Sequence, residues 1–84
     1  MKFYYVTFRS VTFAQRGERL LQDSGVRCTL QRTPRWMEER GCGYSLRLWT
    51  DDVRPALVLL REKQIPMRKV YLQGRDGQLE ELAL

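Results

Sequence analysis

Two cysteines and no histidine narrow the chemistry this chain can perform. His-based acid/base catalysis, the Ser-His-Asp and Cys-His arrangements and His-containing metal sites are all excluded. A tetrahedral zinc site takes four ligands from Cys and His, so two cysteines cannot build one within a monomer, and no metal or other cofactor is expected. The two thiols stand in different surroundings. Cys28 lies between Val26 and Leu30 in an alternating run, where a cysteine behaves as a small hydrophobe. Cys42 is flanked by Gly41 and Gly43, with Arg35, Arg40 and Arg47 close in sequence. Glycines on both sides free the backbone and leave the sulfur open to approach. Neighbouring guanidinium groups stabilise a thiolate, which makes Cys42 the candidate nucleophile; the alternative is a Gly-Cys-Gly turn whose cysteine is incidental.

Other residues offer weaker chemistry. Trp36 and Met37, in the same segment as Cys42, are either an apolar lid and docking patch or side chains that pin a long loop to the core. Glu38 and Glu39 would raise the pKa of a nearby thiol and so oppose the arginines. Asp51 and Asp52 are adjacent and point apart at a helix start, which suits a cap better than a carboxylate pair. Outward aromatics Trp49 and Tyr71 on a basic domain suggest base stacking. The aromatic signature of RNA-recognition strands is missing from Tyr44-Ser45-Leu46-Arg47-Leu48-Trp49, so nucleic acid is not the expected partner.

The elements that must position these residues belong to a short chain. Its 84 residues make one domain, 1–84, with a single small core. At 43% hydrophobic and 30% charged residues the composition is that of an ordinary globular chain. The longest uncharged apolar run, Pro55 to Leu60, is far short of the roughly 20 residues of a membrane-spanning helix, so no membrane partner is expected. The first residues lack a secretory pattern, which points to the cytoplasm and to reduced thiols. Fifteen Lys and Arg against ten Asp and Glu give a net charge of +5, enough to attract an acidic protein, a nucleic acid or a small anion.

Phe3 to Phe8 is aromatic and β-branched with apolar residues on both faces, which predicts a central strand. From Thr12 the period becomes helical: Phe13, Ala14, Gly17, Leu20, Leu21 and Ser24 share one face, Thr12-Phe13-Ala14-Gln15 fits a capping box, and Gly25 is the expected stop. Val26, Cys28 and Leu30 alternate with Arg27, Thr29 and Gln31 as a second strand, and Tyr44, Leu46 and Leu48 with Ser45, Arg47 and Trp49 as a third. Between them Arg32 to Gly43 reads as irregular. Thr50, Asp51 and Asp52 supply capping oxygens for a second helix with Pro55 in its first turn, ended by Ile65-Pro66. Val70 and Leu72 mark a fourth strand, and the turn Gly74-Arg75-Asp76-Gly77 leads to an optional short edge strand over Gln78 to Leu82. The order βαββαβ predicts an α+β, ferredoxin-like split βαβ sandwich with both helices on one face.

In that topology the loop between strands 2 and 3 sits at the end of the sheet where strand 1 passes into helix 1. Cys42 is therefore expected near Arg9, Ser10 and Thr12, where free amides and the helix dipole favour a thiolate. A Cys28–Cys42 disulfide does not fit, because an offset of three or four residues along a strand is roughly 10 to 13 Å, beyond the approximately 7 Å reach of a disulfide between Cα atoms.

With Thr33-Pro34-Arg35 followed by Cys42-Gly43-x-x-Leu46-Arg47, the chain resembles a family of small bacterial proteins described as selenium/sulfur carrier-like, from Phe3 to about Leu60. The stretch from Trp36 to Gly41 departs from it, carrying charges and a bulky Trp where small polar residues are expected. The resemblance implies that Cys42 bears the chalcogen as a persulfide or selenosulfide, received from a donor such as a cysteine desulfurase and passed to an acceptor. It implies a carrier rather than a turnover enzyme. Arg35, Arg47, Ser10 and Thr33 would contact the anionic substrate, with Gly41, Gly43 and Pro34 shaping the loop. A non-catalytic ligand- or protein-binding module stays open as the alternative, RNA binding ranks behind it, and an exposed strand edge at the C-terminal hairpin would permit a homodimer.

Overall fold

The computed structural model describes residues 1–33 and 43–83. Strand β1 (Lys2–Phe8) leads to helix α1 (Val11–Asp23), strands β2 (Arg27–Arg32) and β3 (Tyr44–Thr50), helix α2 (Arg54–Glu62), and strands β4 (Val70–Gln73) and β5 (Leu79–Leu82). The protein is α+β: its five strands form one antiparallel sheet in the order β2-β3-β1-β4-β5. β1 is central, pairing with β3 from Lys2↔Thr50 to Phe8↔Tyr44 and with β4 from Tyr4↔Leu72 to Val6↔Val70. That position follows from a strand apolar on both faces.

Alternation sends Tyr4, Val6, Phe8, Leu46, Leu48 and Val70 to one face, where they form the core with Ala14 and Leu21 of α1 and Ala56, Leu57 and Leu60 of α2. Gly17 lies at the closest approach of α1: a Cβ there would stand 3.2 Å from Leu60 and 3.3 Å from Leu46 and from Phe8. Among the described residues no helix is long and apolar enough to cross a membrane.

Helix boundaries depart from the sequence reading in two places. α1 is capped by Ser10, whose Oγ accepts the Phe13 N–H at 3.3 Å, and Thr12 already lies inside the helix. Ser10 wins because its extended backbone (φ −133°, ψ 154°) lets the hydroxyl turn back over the first turn. α2 ends at Glu62, short of Ile65-Pro66, and Gln64, just beyond the Lys63 cap, takes a left-handed conformation (φ 57°). There the Gln64 N–H donates to the Arg61 carbonyl and the Ile65 N–H to the Leu60 carbonyl. α1 ends in the same two-bond motif on Gly25, at φ 85° without a Cβ to strain. At the start of α2 the cap position falls on Val53, which has no capping side chain; of the expected capping residues, Asp52, one position earlier, accepts the Arg54 N–H on its Oδ1 at 3.0 Å.

The two edges of the sheet are finished differently. On β2, the outward Leu30 N–H donates to Glu18 Oε2 at 3.0 Å, and the Cys28 carbonyl accepts from Gln22 Nε2 at 3.3 Å. Side chains of α1 thus occupy backbone groups that a further strand would need. β5 forms the opposite edge, reached through the turn at Gly74–Gly77, where the Gly74 N–H donates to the Gln78 carbonyl at 2.8 Å.

Candidate functional site

Phe8, Tyr44 and Arg32 lie opposite one another across three strands, so β1 ends, β3 begins and β2 ends at one end of the sheet. The Thr33 N–H donates to the Gly43 carbonyl at 3.0 Å, and the chain therefore leaves β2 and enters β3 side by side. α1 starts from the same end, three residues beyond Phe8, and its first turn carries no acidic side chain to offset the positive end of its dipole. Sequence reasoning placed this convergence correctly. Cys42, Arg35, Pro34 and Gly41 lie outside the described residues, as do Trp36, Met37, Glu38, Glu39 and Arg40.

Of the predicted site residues within the described chain, Ser10, Thr33 and Gly43 gather at this end. Ser10 commits its hydroxyl to the α1 cap. Thr33 is buried, at 7% exposure, and among the described residues its hydroxyl has no hydrogen-bond partner. Ser45, which sequence reasoning did not single out, behaves in the same way: it is fully buried between Thr7 and Gln31, and its Oγ has no partner among the described residues. Leaving a buried hydroxyl unsatisfied costs about 1–3 kcal/mol. Neighbouring Thr7 shows the ordinary solution, its hydroxyl accepting the Lys69 N–H at 3.0 Å. The sequence signal for Ser45 was a small polar residue two positions after the Cys-Gly step, on a strand whose flanking residues Tyr44 and Leu46 are apolar.

Arg47 stands elsewhere. It is exposed, four residues along β3 from Gly43, a run of about 13 Å. Its guanidinium lies 4.4 Å from the centroid of the Phe3 ring, and Phe3 in turn packs on Trp49 with ring centroids 4.4 Å apart at 42°. These side chains share the face away from the helices, together with Tyr5, whose hydroxyl donates to Gln73 Oε1 at 3.1 Å. Trp49 and Tyr71 are on this face as expected from alternation, but the Phe3 ring already has Trp49 on one side and Arg47 against it.

Cys28 is a structural thiol. It faces the helices at half burial, and its Sγ lies 3.7 Å from the Glu18 carbonyl oxygen, which accepts its S–H. Burial, with the Glu18 carboxylate adding to it, pushes the thiol up to about 11, so it stays protonated and poorly nucleophilic near neutral pH.

No curated protein and no solved structure matches the chain. A family model does, over residues 3–72, which takes in β1, the convergence of strand ends, α1, α2 and the start of β4. That family is described as "Putative Se/S carrier protein-like", and by this match over most of its length the chain belongs to the Se/S carrier protein-like family.

Proposed function

We propose that this chain, working as one domain, carries sulfur or selenium on Cys42 as a persulfide or selenosulfide. The observation that carries the reading is the environment of the other thiol. Cys28 is held protonated by burial and by Glu18, so in a carrier-family chain with two cysteines the work falls to the one between two glycines. The convergence of Thr33, Gly43 and the unneutralised start of α1 supports it, because Cys42 is covalently joined to Gly43 at that end of the sheet. A thiolate is favoured beside free helix amides.

The transfer is redox-neutral. The Cys42 thiolate attacks the outer sulfur of a donor persulfide, R–S–SH. A new S–S bond forms to Cys42, the donor's own S–S bond breaks, and the donor leaves as its thiolate with the electron pair. With selenium as the outer atom the same exchange gives a selenosulfide. An acceptor reverses the step. Donor and acceptor are protein partners, a cysteine desulfurase being one donor of the required chemistry.

The ferredoxin-like split βαβ arrangement is part of the same reading. Each helix joins two strands separated by one other, β1 and β2 across β3, and β3 and β4 across β1, with β5 added at the edge.

The test is alkylation of each cysteine against pH on native protein, followed by loading with isotopically labelled sulfur from a persulfide donor. Cys42 is expected to titrate below the ordinary thiol value of 9.0 and to carry the label, with Cys42→Ser losing it and Cys28→Ser keeping it. Label retained in Cys42→Ser would overturn the reading.

A further inference from the structure

On the face away from the helices, β1, β2 and β3 line an open concavity of about 370 Å³, bounded by Phe3, Arg27, Cys28, Thr29, Arg47 and Trp49. The register explains its make-up. Arg27, Trp49 and Phe3 form one row across the sheet, and Thr29, Arg47 and Tyr5 form the next. Arg27 and Arg47 are therefore diagonal neighbours on adjacent strands, about 7–8 Å apart. Two like charges at this spacing repel, and among the described residues neither has a carboxylate partner and no Asp or Glu lines the concavity. Arg47 is not loose: resting on the Phe3 ring, its planar fork is held at the concavity wall with its N–H donors still unspent on a carboxylate. Trp49, braced by Phe3 from the β1 side, supplies an aromatic wall.

We propose that this concavity binds an anionic ligand that carries a planar ring, of mononucleotide size. The anion sits between Arg27 and Arg47 and relieves their repulsion, Thr29 offers a hydroxyl, and the ring lies against Trp49. A bare oxyanion would leave the aromatic wall unused, and the volume falls within the roughly 300–1,000 Å³ typical of small-molecule sites. Fork-shaped recognition suits phosphate and carboxylate alike; the ring against indole is what selects among anions. This proposal does not rest on the carrier reading.

The experiment is a titration of the full chain with AMP, adenosine and inorganic phosphate at about 0.1 M salt, where exposed charges are partly screened. Amide NMR shifts report the place and the affinity. AMP is expected to shift Arg27, Thr29, Arg47 and Trp49 saturably, and to bind about tenfold or more tightly than adenosine or phosphate. Arg27→Gln and Arg47→Gln should each weaken AMP by about tenfold or more, while the distant Lys63→Gln and the thiol variant Cys42→Ser leave it unchanged. Both arginines are exposed, so the variants are expected to fold, which the unchanged shifts of the core strands would verify. The proposal fails if AMP gives no saturable shift, if phosphate or adenosine matches it, or if Lys63→Gln weakens it as much as Arg27→Gln. Affinity that climbs with oligonucleotide length would also overturn it, assigning the face to nucleic acid instead.

Discussion

Ser45 and Leu46 are chain neighbours on β3, both fully buried, and they face opposite sides of the sheet. Leu46 points to the helices and meets Val6, Leu30 and Gly17 in a closed apolar core. Ser45 points the other way, where burial is incomplete along the strand and polar, aromatic and cationic groups share the surface. The helix-covered face is closed and apolar. Among the described residues the opposite face holds two hydroxyls with no partner and two arginines with no carboxylate, a set of unspent interactions that stability does not explain. Proteins commonly keep such unspent groups where something else must bind.

The largest expected effect lies on the covered face. Leu46→Ala removes a side chain with no exposure from the centre of the core, and should cost about 2–5 kcal/mol in denaturant unfolding. A loss under about 1 kcal/mol would mean that the two faces are not energetically distinct and that the core is loosely packed. Next is the thiol of that face. With its pKa near 11 against an ordinary 9.0, Cys28 should alkylate about a hundredfold more slowly than a free thiol at pH 8. Because the folded value is raised, its contribution to stability is complete below the unfolded value near 9 and is lost as pH climbs towards 11. Glu18→Gln removes the lesser of the two causes and should move the alkylation midpoint slightly down, leaving burial to hold most of the shift.

Much of this contrast is written in the sequence. Alternation alone sorts Tyr4, Val6 and Phe8 from Phe3, Tyr5 and Thr7, and a strand apolar on both sides belongs in the middle of a sheet, where β1 lies. The convergence of Thr33, Gly43 and the α1 start follows from strand order. What local pattern does not carry is register. The Phe3–Trp49 packing and the perch of Arg47 on Phe3 depend on which residues of β1 and β3 face each other. The cap on α1 was misread for a related reason. Ser10 and Thr12 are both acceptable caps, and only the extended backbone at Ser10 chooses between them. Ser45 escaped notice because hydroxyls on an open face are ordinarily solvated, and its complete burial is a tertiary fact.

Truncating Ser45 should have a smaller effect than truncating Leu46, and of opposite sign. Ser45→Ala deletes a buried hydroxyl that none of the described residues satisfies, so thermal unfolding should shift upward by the equivalent of about 1 kcal/mol. A loss of stability would show that the hydroxyl is hydrogen-bonded in solution and would weaken the contrast between the faces. The same substitution has a functional readout: if Ser45 is retained for the chemistry at the Cys42 end, the stabilised variant should load labelled sulfur more slowly than the wild type.

The smallest effect belongs to Arg47, and its size is what separates binding from folding on the open face. Its one described partner is the Phe3 ring, and an exposed cation–π contact contributes about 0.5–1 kcal/mol. Arg47→Gln should therefore lower unfolding stability by no more than that. If the open face were merely a second, thinner core, removing the residue that caps Phe3 would loosen Phe3 and Trp49 together and cost more. If the face is a ligand surface, as the paired arginines argue, stability barely moves while AMP affinity falls by about an order of magnitude. Urea denaturation and AMP titration of the same variant thus give two numbers whose ratio tells a packing residue from a binding one, and Leu46→Ala, strong in the first measurement, supplies the opposite pole.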